Sequence, residues 1–291
     1  MPAAHSLLSP EIAGFMRELL FITHSLPKEI IMNTNSALSG KNAVITGGSD
    51  GIGYGIAEEF ARQGANLFLI ARTPTKLVEA SARLSEYPVT VHTFAADLTD
   101  ISEVHRAAEH ALDILGSIDV LVNNAGIARF IPFEQTDENA FDEHFNLNVK
   151  APYFLAQKLL PELAKNSGNI VNISSYFSKR MLPGRPSTVY SMTKGALNLF
   201  TQSLAFEAGS AGVRVNAIAP GMVETPQLLR NVSAMPPEAQ EHMKQNASAL
   251  IPLGRIGNVA DIGRAAAFLA SDAAAWVTGA VLSVDGGITT H

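Results

Sequence analysis

The chain has 291 residues, of which 47% are hydrophobic and 16% charged; its formal net charge is −6 and it has no cysteine. That apolar share supports a sizeable buried core and excludes disorder of the whole chain. The acidic balance has the wrong sign for a nucleic-acid footprint, and a chain without cysteine has no disulfide, thiolate metal site or cysteine nucleophile.

Residues 1–39 read as an N-terminal extension. Its apolar stretch at 12–22 is interrupted by Arg17 and Glu18, and it is shorter than the roughly 20 residues that span a bilayer. It also lacks the basic leader and small-residue cleavage site of a secretory signal, so a short amphipathic helix or a disordered lead-in is expected. Met32, just ahead of a polar run, is an alternative start. No membrane partner is expected, and a cytoplasmic location fits the absence of cysteine.

From residue 40 the pattern alternates. Short Val- and Ile-rich runs fall at 43–46, 66–71, 90–95, 120–123, 169–174, 214–218 and 281–284. Segments with helical spacing separate them, near 52–63, 75–86, 101–115, 137–165, 188–209 and 258–270. Strands apolar on both faces, each followed by a helix, predict an α/β fold: a single-domain, doubly wound parallel sheet of about seven strands, Rossmann-type, with helices on both faces. Two segments break the rhythm: a basic loop at 178–187, and an insert after Pro220 that reads as a lid near 222–250.

The first strand runs into Thr46-Gly47-Gly48-Ser49-Asp50-Gly51-Ile52-Gly53 and then a helix. A strand-to-helix turn offers free backbone N–H groups and the positive end of the helix dipole, which suits a pyrophosphate. The glycines permit a tight turn and close approach. A glycine turn alone is weak evidence, but this context makes it a dinucleotide cradle. The second strand ends Ile70-Ala71-Arg72-Thr73, with no acid to accept from a ribose 2′-hydroxyl. Arg72 is placed to grip a 2′-phosphate, so NADP(H) is preferred and NAD(H) remains open. Asp50 pulls slightly the other way, and Arg72 also reads as an ordinary exposed arginine.

Tyr190 and Lys194 stand four apart near the start of a predicted helix, on one face. A phenol has an ordinary pKa near 10, and a neighbouring ammonium favours its ionised form. Such a tyrosine can act as acid or base toward a carbonyl/alcohol pair. The spacing alone is common. However, Ser174-Ser175 closes one predicted strand and Asn123-Asn124-Ala125-Gly126 another, at the carboxyl edge where doubly wound sheets bind ligands. Asn148 sits in a helical segment, where a buried amide needs a partner.

The cradle, Asn123–Gly126, Asn148, Ser175, the run Tyr190-Ser191-Met192-Thr193-Lys194 and Pro220-Gly221 occur together and in order. Together they resemble the single-domain branch of the short-chain dehydrogenase/reductase family over residues 40–291. The resemblance implies Tyr190 as catalytic acid/base and Lys194 as the group that lowers its pKa and holds the nicotinamide ribose. It implies Ser175 as the group polarising the substrate carbonyl, and Asn148 as holder of a water linking Lys194 to solvent. Gly47, Ser49, Asp50, Gly51, Ile52 and Gly53 would form the cradle, Asp97 and Leu98 would meet the adenine, and Asn124, Ala125 and Gly126 would shape the cleft. Pro220, Gly221, Val223 and Thr225 would lie at the nicotinamide. No metal is implied.

The expected function is an NADP(H)-preferring ketoreductase, related in type to 3-oxoacyl reductases. Two alternatives stand beside it: an NAD-dependent alcohol dehydrogenase acting oxidatively, and a dinucleotide-binding sensor or scaffold without chemistry. The family implies a homotetramer or homodimer, and Ala196, Leu199, Phe200 and Leu204 give the 188–209 helix apolar surface for it or for the core. The insert carries Leu228, Leu229, Val232, Met235, Met243 and Leu250, an apolar set suited to a medium-sized, largely apolar carbonyl compound. In the basic loop, Lys179, Arg180 and Arg185 read either as a rim for anionic substrates or as solvated surface.

Overall fold

The computed structural model describes residues 36–233, 237, 238, 240 and 250–290. The N-terminal segment up to residue 35 with the alternative start at Met32, and Met235 and Met243 of the expected lid, lie outside the described residues. The described strands and helices belong to one compact unit, Ala37–His291.

Seven parallel strands form one sheet: β1 (Asn42–Thr46), β2 (Asn66–Ala71), β3 (Val91–Ala95), β4 (Val120–Asn123), β5 (Asn169–Ile173), β6 (Arg214–Pro220) and β7 (Val281–Val284), in the order β3-β2-β1-β4-β5-β6-β7. This is the doubly wound sheet that the alternating pattern predicts. The strands are buried on both faces with a period of two. Ala43, Ile45, Leu67 and Leu69 face one apolar layer, and Val44, Phe68 and Ile70 face the other.

The first layer is closed by α1 (Gly51–Arg62), α2 (Pro74–Leu84) and α8 (Val259–Ala270), through Phe60, Leu84 and Ile262 among others. The second is closed by α3 (Ile101–Leu115), α5 (Ala151–Lys165) and α6 (Thr188–Ala208), through Val104, Leu155, Leu159 and Ala205. Burying a side chain such as Phe68 or Leu69 completely stabilises the fold by roughly 2–3 kcal/mol. Strand order reverses between β1 and β4, which opens a crevice at their carboxyl ends. Doubly wound sheets bind ligands at that switch point.

The segment expected as one helix over 137–165 is divided. α4 (Glu138–Phe145) passes through a π-helical turn, Asn146–Lys150, into α5. Pro152 has no N–H to give the carbonyl four residues back and its ring crowds that turn. The chain widens instead, and the Ala151 N–H donates to the Asn146 carbonyl. Such turns concentrate at functional sites, and Asn148 is in this one. After β6 the insert forms α7 (Pro226–Ser233), with Thr225 Oγ1 accepting from the Leu228 N–H at 3.1 Å.

Candidate active site

The crevice at the switch point is a cleft of about 280 Å³. It starts at the turn after β1, where Gly47, Asp50, Gly51 and Ile52 form its wall, and ends at Tyr190 and Lys194. Gly47 has a φ of +65°, and a Cβ on Gly53 would lie 2.1 Å from the Gly47 carbonyl oxygen. Only glycine fits at Gly53 with the turn this tight. Asp50 caps α1, accepting from the Gly51 N–H at 2.7 Å.

Asn124, Ala125 and Gly126 leave β4 along the opposite wall. Thr46 ties the two walls together: its hydroxyl accepts from the N–H groups of Asn124 and Ala125, both at 3.0 Å. The Asn124 side chain in turn donates to the Thr46 carbonyl at 2.9 Å. Thr46 was legible as the end of a strand but gave no sign of this bridging role. Ser49 lies within the glycine turn.

Lys194 and Tyr190 come from α6. A buried polar chain fixes that helix on the sheet: Asn123 Nδ2 donates to Asn172 at 2.9 Å, Asn172 to Thr201 at 2.9 Å, and Thr201 to the Leu197 carbonyl at 2.8 Å. The Ser174 hydroxyl donates to the Lys194 carbonyl at 3.3 Å, so Ser174 holds the helix while Ser175 faces the neighbouring pocket. The Lys194 ammonium is buried and donates to the Ile173 carbonyl at 2.8 Å; it lies 5.9 Å from the centre of the Tyr190 ring. Burial lowers its pKa to about 8.

The phenol behaves differently from the sequence expectation. Burial pushes the Tyr190 pKa up, and a hydrogen bond with Ser175 pulls it partly back. The Lys194 charge is engaged by a carbonyl and stands off the ring, so desolvation prevails in the free site.

Asn148 is buried behind Gly126. Its Oδ1 accepts from the Ile127 N–H at 2.9 Å, and its Nδ2 donates to the Ile127 carbonyl and to Thr193 Oγ1, both at 3.0 Å. Thr193 Oγ1 in turn donates to the Tyr190 carbonyl at 2.7 Å. The amide therefore joins the end of β4 to the start of α6, and Thr193 is a link that the sequence did not single out.

A second, smaller pocket of about 130 Å³ shares Ile52, Tyr190 and Thr225 with the cleft. Ser175, Gly221, Val223 and Leu228 line it together with Phe130, Tyr176, Phe177, Met222 and Arg185. Of the basic loop, only Arg185 reaches this pocket. Arg180 donates to the Ile288 carbonyl and Lys179 is exposed.

Other expected contacts lie further out along the same carboxyl edge. Arg72 is exposed just past β2, and Asp97 turns back to accept from Thr99 Oγ1 at 2.8 Å. Leu98 is buried, and Pro220 closes β6. Lys76, on α2, pairs with Asp50 at 2.5 Å. This neutralises the carboxylate that argued weakly against a 2′-phosphate. The α7 residue Arg230 also lines the cleft.

The cleft fits a dinucleotide: a backbone cradle closed to any side chain at Gly53 begins it, and a buried ammonium and a phenol end it. Comparison with known proteins agrees. A family model described as enoyl-(acyl carrier protein) reductase matches residues 47–289. The oxidoreductase UcpA of Escherichia coli O157:H7 is 38% identical over 253 residues, covering 87% of this chain and 95% of the relative. The hydroxynaphthalene reductase-like protein Arp2 of Metarhizium anisopliae is 37% identical over 267 residues, covering 88% and 98%. A solved structure from Beutenbergia cavernae, described as an NAD(P)-dependent gluconate 5-dehydrogenase with NADP bound at low occupancy, superposes with a TM-score of 0.81 at 34% identity; the match covers 89% of this chain and all of that one.

The chain belongs to the short-chain dehydrogenase/reductase family. It is an NAD(P)-dependent oxidoreductase, and the binding-only alternative falls away. No helix among the described residues is long and apolar enough to cross a membrane.

Proposed function

We propose that this enzyme is a ketoreductase that prefers NADP(H). The observation carrying the reading is the pair of hydroxyls, Ser175 and Tyr190, that line the smaller pocket beside the cleft together. Two such donors suit a carbonyl oxygen that gains negative charge as its carbon is reduced.

Gly47, Asn124, Gly126 and Lys194 would hold a reduced nicotinamide cofactor in the cleft, and it would supply the hydride. Ser175 polarises the carbonyl, and Tyr190 releases its proton to the oxygen as the carbon accepts the hydride. Because burial holds the phenol pKa up, Tyr190 carries that proton at neutral pH, which is the state reduction needs. The Lys194 ammonium stabilises the phenolate left behind, and Asn148 is the link by which solvent restores the proton. Oxidation of the alcohol needs the phenolate first, so it is favoured only at alkaline pH.

The cofactor preference rests on Arg72, exposed at the end of β2, with Lys76 paired to Asp50 nearby. Cations there favour a 2′-phosphate. Residues 40–291 act as one catalytic domain on a small-molecule carbonyl compound. Nucleic acid is no partner, and the acidic, cysteine-free chain suits the cytoplasm.

The assembly we propose is a homotetramer. Met192, Leu199 and Phe206 recur every seven residues along α6 and are 50%, 64% and 90% exposed. Trp276 is fully exposed, and Leu282 on the edge strand β7 is 38% exposed. Two self-complementary patches, each closing about a two-fold axis, generate a tetramer.

The test mixes the protein with NADPH and a panel of ketones and follows loss of NADPH absorbance. Tyr190→Phe is expected to lower kcat about 10²- to 10⁴-fold, with the Kd for NADPH close to wild type. Wild-type kcat in that variant on the best ketone would sink the mechanism.

A further inference from the structure

The smaller pocket has a chemical character that the family assignment does not specify. Phe130, Phe177 and Tyr190 form a mutually packed aromatic set, with ring centres 5.2 Å apart for Phe130–Phe177, 5.9 Å for Phe177–Tyr190 and 6.2 Å for Phe130–Tyr190. Tyr176 packs on Phe177 at 4.4 Å. Arg185 lies with its guanidinium 5.5 Å from the centre of the Phe130 ring. It is the single charged side chain among the described residues lining this pocket, and Ser175 and Tyr190 share the same wall.

We propose that the pocket selects an aromatic ketone carrying a carboxylate or phenolate on the side away from the reacting carbonyl, and that Arg185 is the residue recognising this anion. The inference rests on the ketoreductase reading and deepens it. A flat ring meets aromatic faces and edges on several sides, in the offset and edge-to-face arrangements such rings prefer. A carbonyl directed at Ser175 and Tyr190 leaves the far end of the molecule toward the loop that carries Arg185. A planar guanidinium can stay over an aromatic ring while two of its N–H groups engage a carboxylate. None of the described lining residues carries a carboxylate. Arg180 and Lys179, which share the loop, do not line the pocket, so the recognition is assigned to one side chain and not to the charge of the loop.

The test uses two matched ketones, 4-acetylbenzoate and 4-methylacetophenone, with a third, cyclohexyl methyl ketone, as the non-aromatic control. Binding of each is measured by calorimetry in the presence of saturating NADP⁺, which gives a dead-end complex without turnover. Turnover with NADPH is followed separately. Wild type is expected to bind 4-acetylbenzoate about tenfold or more tightly than the methyl compound, as a charge-assisted hydrogen bond implies. In Arg185→Gln that ratio is expected to collapse toward one, and Arg185→Lys is expected to recover part of it. Phe130→Leu is expected to narrow the preference of 4-methylacetophenone over the cyclohexyl ketone. An equal affinity of wild type for the two aromatic ketones, or a ratio unchanged in Arg185→Gln, overturns the proposal while turnover leaves the ketoreductase reading standing. The reverse outcome, Arg185-dependent binding without any NADPH oxidation, overturns the ketoreductase reading and leaves the anion site.

Discussion

Replacing Lys194 by methionine is expected to stabilise the free protein near neutral pH, and the size of the effect follows from the site. Burial lowers the Lys194 pKa from 10.5 to about 8, which corresponds to about 3 kcal/mol by which the folded state disfavours the ammonium. Methionine keeps the length of the side chain, removes the charge, and gives up the bond to the Ile173 carbonyl, a loss of about 2 kcal/mol for a charged donor. The net expectation is a gain of about 1 kcal/mol at pH 7.5. The pH dependence is the sharper signature. Below pH 8 both the folded and the unfolded chain hold the proton, and the full penalty stands. Between pH 8 and 10.5 the unfolded chain keeps a proton that the folded chain has shed. Wild type therefore gains on the variant at up to about 1.4 kcal/mol per pH unit. Over pH 7.5 to 9.5 the difference between the two should close by about 2 kcal/mol and change sign. Urea unfolding of both proteins at pH 7.5, 8.5 and 9.5, at one fixed protein concentration, reads this directly, while turnover by the variant is expected to collapse. A stability difference that stays constant across this range would show that Lys194 is not the titrating group, and the account of its burial would fail.

Three further outcomes are expected. Arg72→Asp should reverse or level the proposed preference for NADPH over NADH, and Lys76→Met should weaken it by leaving Asp50 as an uncompensated negative charge; equal KM values for the two cofactors in wild type would remove the assignment. Phe206→Glu on α6 should dissociate the proposed tetramer to a smaller species in light scattering without loss of fold by circular dichroism, whereas a wild-type monomer at micromolar concentration would refute the assembly.

The sheet was legible because a strand buried on both faces must be apolar at nearly every position, as in Asn66–Ala71, where the expected and observed bounds coincide. They coincide also for Val120–Asn123 and Val281–Val284, and the other four strands shift by one or two residues. Arg214–Pro220 runs past the expected end because Ala219 and Pro220 pair with β7, a partnership invisible in the strand itself. The candidate site was legible where local geometry decides: a glycine turn between strand and helix, and two side chains four residues apart on a helix. The π-helical turn at Asn146–Lys150 was missed, although Pro152 is its visible cause, because the period of the flanking helices continues through it.

What stayed hidden depends on residues that meet only after folding. Lys76 is 26 positions from Asp50, on a helix whose own pattern explains it as surface, and only the return of α2 toward the glycine turn makes the pair. Arg180 and Arg185 are five residues apart in one loop and look equivalent in sequence. One is tied to a backbone carbonyl near the C-terminus and the other lies over Phe130 in a pocket wall. The distinction matters because charge placed in the loop at large would attract any anion at long range and fade with salt. Charge held over one aromatic face instead selects by the distance between a reacting carbonyl and a second, anionic group. The catalytic pattern is thus a property of local sequence, while selectivity arises where loops from different parts of the chain converge on the same few ångströms.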